Sequence, residues 1–206
     1  MNVLLLGGSP SAPSTTWRLL RLVGERLAAL GHRTTALQVR ELPAHALLRA
    51  DLDDPVVAEA VAQVAAADAI VVGTPVYKAS FSGVLKTFLD LLPQDGLAGK
   101  LVLPLATGGS QSHMLALDYA LRPVLASLGP RHILPGIYAT AAQLPWDPDS
   151  GAPAPVAAIA ARIDAGVEQL AHELELRHGA VRRANGAGPA AAAGVPASAP
   201  AAVLAA

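Results

Sequence analysis

Short uncharged apolar runs alternate along the chain with stretches whose apolar residues recur every three or four positions. Residues 3–6 form an unbroken apolar run ending in Gly7-Gly8, the pattern of a strand buried on both faces. Leu19, Val23, Leu27 and Leu30 then follow helical spacing, and Gly31 marks the helix end. Residues 33–39 predict a second strand, 55–66 a helix, and 69–73 a third strand, β-branched and uncharged. Residues 82–92 predict a helix closed by Pro93, 101–106 a fourth strand, 113–128 a helix ending at Gly129, and 133–139 a short fifth strand. Val156, Ile159, Ile163, Val167, Leu170 and Leu174 share one face of a last helix.

Strands and helices in alternation predict an α/β fold with a doubly wound sheet. Uncharged strands covered on both faces predict that the sheet is parallel. Five strands fit the flavodoxin-like order 2-1-3-4-5 better than the six-stranded dinucleotide order. In that order the topological switch point lies between the first and third strands. Ligands are then expected at residues 7–16 and 74–80, with residues 107–112 beside them.

Composition narrows the class. The 206 residues are 52% apolar but only 3% aromatic, so the core must be built from Leu, Val and Ala. The net charge of −1 gives no general attraction to nucleic acid or to an anionic membrane. There is no Cys, which excludes disulfides, Cys-ligated metal and thiol chemistry and suits a cytoplasmic location. The N-terminal apolar run is too short for a signal peptide and reads as a strand. From residue 179 onward the chain is mainly Ala, Gly and Pro, with Arg182 and Arg183 as its only charges. We expect a domain over residues 1–178 and a disordered Ala/Gly/Pro-rich tail over 179–206, since Pro189, Pro196 and Pro200 interrupt any helix, membrane-spanning or not.

The three loops carry the candidate chemistry. In the first, Ser9, Ser11, Ser14, Thr15 and Thr16 cluster where a helix begins. A helix N-terminus exposes unpaired N–H groups and a partial positive charge, and hydroxyls add donors without bulk, so this end suits a phosphate. The spacing matches neither G-x-G-x-x-G nor a triphosphate-binding loop. Ordinary N-capping by Ser14 or Thr15 is the plainer alternative. In the second loop, Pro75, Val76, Tyr77 and Lys78 make a stiff, partly apolar wall against which a flat heteroaromatic ring can lie. In the third, Thr107-Gly108-Gly109-Ser110 allows close backbone approach.

Gly8-Ser9-Pro10-Ser11, the long stretch of residues 74–93 and the stretch of residues 104–110 strongly resemble the NADPH-dependent FMN reductase family. Within it, residues 113–125 are most similar to the reductases of two-component alkanesulfonate monooxygenase systems. The resemblance covers about residues 1–175. It implies FMN phosphate at Ser9, Ser11, Ser14, Thr15 and Thr16. It implies the flavin ring against Pro75, Val76, Tyr77 and Lys78, with Thr107, Gly108, Gly109 and Ser110 beyond it. Family members commonly carry basic residues where this chain has Ser11 and Thr15, so the phosphate is expected to rely on the helix end, the hydroxyls and Arg18 one turn in. Weaker flavin retention follows from that departure.

Pro123 falls inside the fourth predicted helix. It has no N–H for the carbonyl of Tyr119, so the helix is expected to kink or to carry a π-bulge there. A surface pair between Asp118 and Arg122 is the bland content of this helix. The resemblance implies more: a subunit interface on this helix, with Tyr119 associated with flavin transfer.

The reading is an NADPH-dependent FMN reductase that passes hydride from NADPH to FMN and supplies reduced flavin to a partner monooxygenase. It is expected to be a homo-oligomer, a tetramer by resemblance, with no metal and no catalytic acid or base, because the flavin does the chemistry. The six His residues show no metal-ligand spacing. Rival readings are an FMN-retaining quinone, azo-dye or metal reductase, and a flavodoxin-type electron carrier, which the near-zero charge opposes. A response-regulator domain would need acidic residues where the chain has Gly-Gly-Ser and Thr-Pro-Val.

Overall fold

The alternating pattern folds into a parallel sheet sandwiched between helices. The computed structural model describes residues 1–147 and 152–186. In chain order they form β1 (Asn2–Gly7), α1 (Thr15–Ala29), β2 (Arg33–Gln38), a 3₁₀ turn (Val39–Glu41), α2 (Ala44–Arg49), α3 (Pro55–Ala66), β3 (Ala69–Tyr77), β4 (Ser80–Phe81), α4 (Gly83–Leu89) and β5 (Leu101–Gly108). A 3₁₀ turn (Gln111–His113), a π-helical turn (Leu117–Leu121), α5 (Arg122–Ser127), β6 (His132–Ile133), β7 (Ile137–Thr140), a 3₁₀ turn (Ala141–Gln143), β8 (Trp146–Asp147), β9 (Ala152–Pro153) and α6 (Ala157–Gly186) complete them.

β1 pairs in parallel with β2 and β3, and β3 pairs in parallel with β5. The outer edge of β5 takes β6 and then β7. This is the flavodoxin-like order, with the fifth strand in two pieces. The break falls at Pro135-Gly136. Pro135 has no N–H to give to the ladder. Gly136 lets Leu117 come close, since a Cβ there would lie 2.9 Å from Leu117 Cδ1.

Because the strands are buried on both sides, their side chains feed two cores. Leu4, Leu6, Ile70, Val72 and Val102 meet α3, α4 and α5 on one face. Val3, Leu5, Val71, Leu103 and Leu105 meet α1 and α6 on the other. Phe88 is the largest fully buried side chain, and Leu and Ile make up the rest of that group. Each such Leu contributes about 1.5–3 kcal/mol of burial free energy, which explains how a core so poor in aromatics suffices.

The helices differ from the sequence pattern in places. The helix predicted over 82–92 is α4, which begins at Gly83, capped by Ser82, and ends at Leu89, short of Pro93. Val156 precedes α6 and is exposed, whereas Ile159, Ile163, Val167, Leu170 and Leu174 are buried. α6 continues past residue 178 to Gly186; the rest of the expected tail, 187–206, lies outside the described residues. The expected helix 113–128 is not one helix. It is a 3₁₀ turn, the π-helical turn and α5 in succession. The Arg122 N–H donates to the Leu117 carbonyl, five residues back, one position before the proline that cannot donate. α2, the β3–β4 hairpin and the β8–β9 hairpin carry no signal strong enough for the hydrophobic pattern to have shown them.

Candidate functional site

At the carboxyl ends of β1, β3 and β5 lies a cleft of about 250 Å³. Its position is the switch point that the strand order dictates. Loop by loop, the contacts show how the sequence builds it.

The first wall is the turn from β1 into α1. Ser14 is the N-cap of α1: its Oγ accepts the Trp17 N–H at 3.1 Å and its carbonyl accepts the Arg18 N–H at 3.1 Å. Helix geometry leaves the first-turn N–H groups of Thr15 and Thr16 without an intrahelical acceptor. Ser9 Oγ accepts the Ser11 N–H at 3.3 Å. Thr16 is 1% exposed, and its hydroxyl meets that of Thr107 at 2.6 Å, tying α1 to the end of β5. N-capping and donor presentation therefore coexist here. Ser14 supplies the cap, and Ser9, Ser11, Thr15 and Thr16 line the cleft with it.

The second wall is fixed to the first. The Gly8 N–H donates to the Gly73 carbonyl at 2.7 Å. Ser82 donates its hydroxyl to the Gly8 carbonyl and accepts the Leu85 N–H at 3.1 Å. The Ser82 N–H in turn donates to Thr74 Oγ1 at 2.9 Å. Gly8 leaves no room for a side chain, since a Cβ there would lie 2.6 Å from Leu85 Cβ. Beyond Thr74 the chain makes a tight hairpin in which Val76 pairs with Phe81 and Tyr77 with Ser80. Lys78 and Ala79 form its tip at φ 49 and 63, the left-handed pair that such a turn requires. Pro75, Val76 and Tyr77 line the cleft; Lys78, at the tip, does not.

The third wall is Thr107, Gly108 and Gly109. Gly108 must be glycine, because a Cβ would lie 2.2 Å from Tyr138 Oη. That hydroxyl donates to the Ser110 carbonyl at 2.6 Å and holds the turn. Burial pushes the Tyr138 phenol above its usual pKa, which keeps the proton on the donor. Ser110 caps the following 3₁₀ turn and stands off the cleft lining. At Gly109 a Cβ would meet open space, so the cleft mouth stays clear.

All the expected ring and phosphate residues except Lys78 and Ser110 thus come together. Tyr119 lies elsewhere, in the π-helical turn, 79% exposed and with Met114 and Leu115 exposed nearby. Arg122 clamps that turn: its guanidinium donates to the carbonyls of Ile133 and Leu134 at 3.1 and 3.0 Å and to Asp118 at 3.2 Å. Arg18 turns away from the cleft, its guanidinium carbon 4.9 Å from the Trp146 ring centroid. Within the expected stretch 7–16 sequence reasoning gave Pro13 no role of its own, and it missed Ala141 and Arg40. Pro13 and Ala141 complete the lining, and Arg40 donates to the Ser11 carbonyl from the 3₁₀ turn after β2. No local motif marks Arg40; only the tertiary fold brings it to the first loop.

Chemically, the first wall offers neutral hydroxyl and amide donors suited to a phosphate monoester. The second offers a flat apolar face, and the third a close backbone approach for a planar ring. Among the described residues no group of three His, Cys, Asp or Glu side chains is placed to hold a metal ion, and no helix is long and apolar enough to cross a membrane. Residues 1–144 match the family model described as NADPH-dependent FMN reductase. The chain belongs to that family. It is 51% identical over 146 residues to an FMN reductase (NADPH) of Pseudomonas putida, covering 71% of this chain and 74% of that one. It is 45% identical over 144 residues to an FMN reductase (NADPH) of Escherichia coli K12, covering 70% and 75%. Among solved structures it resembles the apo form of an NADH:FMN oxidoreductase, with a TM-score of 0.77 and 40% identity over 84% of this chain and 89% of that one. This FMN reductase is accordingly an oxidoreductase that uses FMN and NADPH.

Proposed function

We propose that FMN enters the cleft as a substrate, is reduced there, and leaves to serve a partner monooxygenase of the two-component alkanesulfonate type. Its phosphate lies at the N-terminus of α1 against Ser9, Ser11, Ser14, Thr15 and Thr16. Its ring lies along Pro75, Val76 and Tyr77, with Thr107, Gly108 and Gly109 at its other edge and Lys78 and Ser110 supporting the two turns. The observation that carries this reading is that, among the described residues, no charged side chain lines the cleft. Hydroxyl and amide donors to a charged phosphate contribute about 1.5–3 kcal/mol each, and no ion pair adds to them. A phosphate, itself charged, still gains from the helix end, but it lacks the bidentate guanidinium that would lock it. That grip suits exchange rather than retention.

When bound, FMN supplies the hydride-accepting chemistry. The protein holds the phosphate, keeps the ring flat against the β3–β4 hairpin and leaves the Gly109 side open for the nicotinamide. The exposed apolar residues Met114, Leu115 and Tyr119 support a subunit interface on the π-helical segment. On this reading the reductase is a cytoplasmic homotetramer, and Tyr119 takes part in flavin transfer.

The visible spectrum after gel filtration tests the proposal. A colourless protein that reduces added FMN with NADPH is expected; a yellow one that turns over other acceptors with its flavin bound overturns substrate exchange. Thr15→Glu keeps the Ser14 cap and suits the helix dipole, yet faces the phosphate with like charge. It should raise KM for FMN more than for riboflavin, and an equal rise removes the loop from the phosphate site. Tyr119→Ala should retain FMN and lose steady-state turnover. A colourless variant with parental turnover, or a monomer at micromolar concentration, removes the interface role.

A further inference from the structure

Across Pro13 and Ser14 from the cleft lies a second cavity, of about 300 Å³. Arg18 and Arg21 reach it from α1, Arg40 from the 3₁₀ turn after β2, and Trp146 from β8. Among the described residues no acidic side chain lines it, although the chain as a whole has a net charge of −1. Arg18 already stacks on the Trp146 ring, which is itself 44% exposed. Arg21 pairs with Glu25 at 3.0 Å and Arg40 with Glu41 at 3.6 Å, both partners standing outside the cavity lining. The Arg21–Glu25 pair is half-exposed, so a stronger anion can displace its carboxylate at little cost.

An indole face beside three guanidinium groups is the chemistry that recognises a purine carrying a phosphate monoester. We propose that this cavity binds the adenosine 2′-phosphate half of NADPH. Adenine packs on Trp146, and the 2′-phosphate is held by Arg21 together with Arg18 and Arg40. The inference rests on the reading that FMN occupies the adjoining cleft. The two cavities share Pro13 and Ser14, so a single extended dinucleotide can place its nicotinamide in one and its phosphorylated ribose in the other. NADH lacks the 2′-phosphate, so these arginines set the preference between the two reductants. The shared chemistry, a phosphate monoester, also belongs to FMN, and the test separates the two sources.

Adenosine 2′,5′-bisphosphate and 5′-AMP are titrated calorimetrically into the flavin-free protein and its Arg21→Gln and Arg21→Lys variants. In parallel, kcat/KM is measured for NADPH and NADH, and KM for FMN. The bisphosphate should bind the parent at least about tenfold more tightly than 5′-AMP, the effect of one good charge-assisted contact. Arg21→Gln should erase most of that ratio and lower kcat/KM for NADPH about tenfold, with NADH and FMN parameters unchanged. Arg21→Lys should recover part of it. Equal binding of the two nucleotides, or equal losses for NADPH and NADH, overturns the assignment. A raised KM for FMN with NADPH selectivity intact overturns it too and gives the arginines to the flavin phosphate. If the bisphosphate ratio depends on Arg21 while the parent shows no FMN binding, the arginine pocket stands and the reading of the cleft falls.

Discussion

The two rims of the cleft are built in opposite ways. On the β1–β3 side, Gly8 is hydrogen-bonded to both Gly73 and Ser82, and Thr16 is locked to Thr107. Every one of those groups is buried or backbone, and none is free to relax. On the β5 side, the chain after Gly109 passes through a 3₁₀ turn and a π-helical turn, and it exposes Met114, Leu115 and Tyr119. The difference teaches how one site can both orient a ligand and let it go. On the proposed function, preorganisation is concentrated where the ring and phosphate would be aligned, and irregular backbone where a neighbour or a departing ligand would be met.

Substitutions on the two rims should therefore separate sharply. The largest effect is expected for Gly8→Ala. The new methyl would collide with Leu85 Cβ, an atom fixed to the backbone of α4, so the helix must move. Overpacking of this kind costs about 1–3 kcal/mol, readable as a lower urea midpoint, and should raise KM for FMN. Next comes Thr16→Val, which leaves the buried Thr107 hydroxyl without its partner and should cost about 1–3 kcal/mol. Adding Thr107→Val should recover most of that loss, because two apolar groups of the same shape leave nothing unpaired. Tyr138→Phe removes the donor to the Ser110 carbonyl and should cost about 1 kcal/mol in chemical denaturation. Tyr119→Ala, at an exposed position, should change stability by no more than about 0.5 kcal/mol whatever it does to flavin release. A Tyr119→Ala penalty larger than that of Thr16→Val would break the contrast between the rims.

Much of this was legible in the chain because it depends on local rules. The alternation of apolar runs fixes a two-sided sheet, the strand count points to the switch point, and that point selects the three loops that form the cleft. Pro123 likewise announces the π-helical turn, since a missing N–H disturbs the turn before it. What was not legible depends on distance along the chain. Arg40 meets Ser11 across 29 residues, and Trp146 meets Arg18 through a hairpin of two-residue strands too short for any periodicity to show. Lys78 sits in a motif that resembles a flavin-binding stretch, yet the left-handed turn carries it off the cleft lining. The break at Pro135 had a signal, the proline itself, and a continuous strand over 133–139 ignored it.

The Thr16–Thr107 bond has a consequence for the order in which the molecule comes together. Its partners are 91 residues apart, and β5 meets the strands that precede it through β3. During synthesis the first loop and α1 are finished long before the strand that closes the cleft exists, so the site has no local precursor. Contacts of such long range form after the loop-closure entropy has been met, late in the folding of a parallel sheet. On the proposed reading, flavin binds only a chain whose sheet is assembled through β5, and by mass action it draws the population toward that state. On the proposed binding mode, FMN present during refolding should raise the yield of chains closed through β5, and a yield independent of FMN would separate the cleft from the flavin.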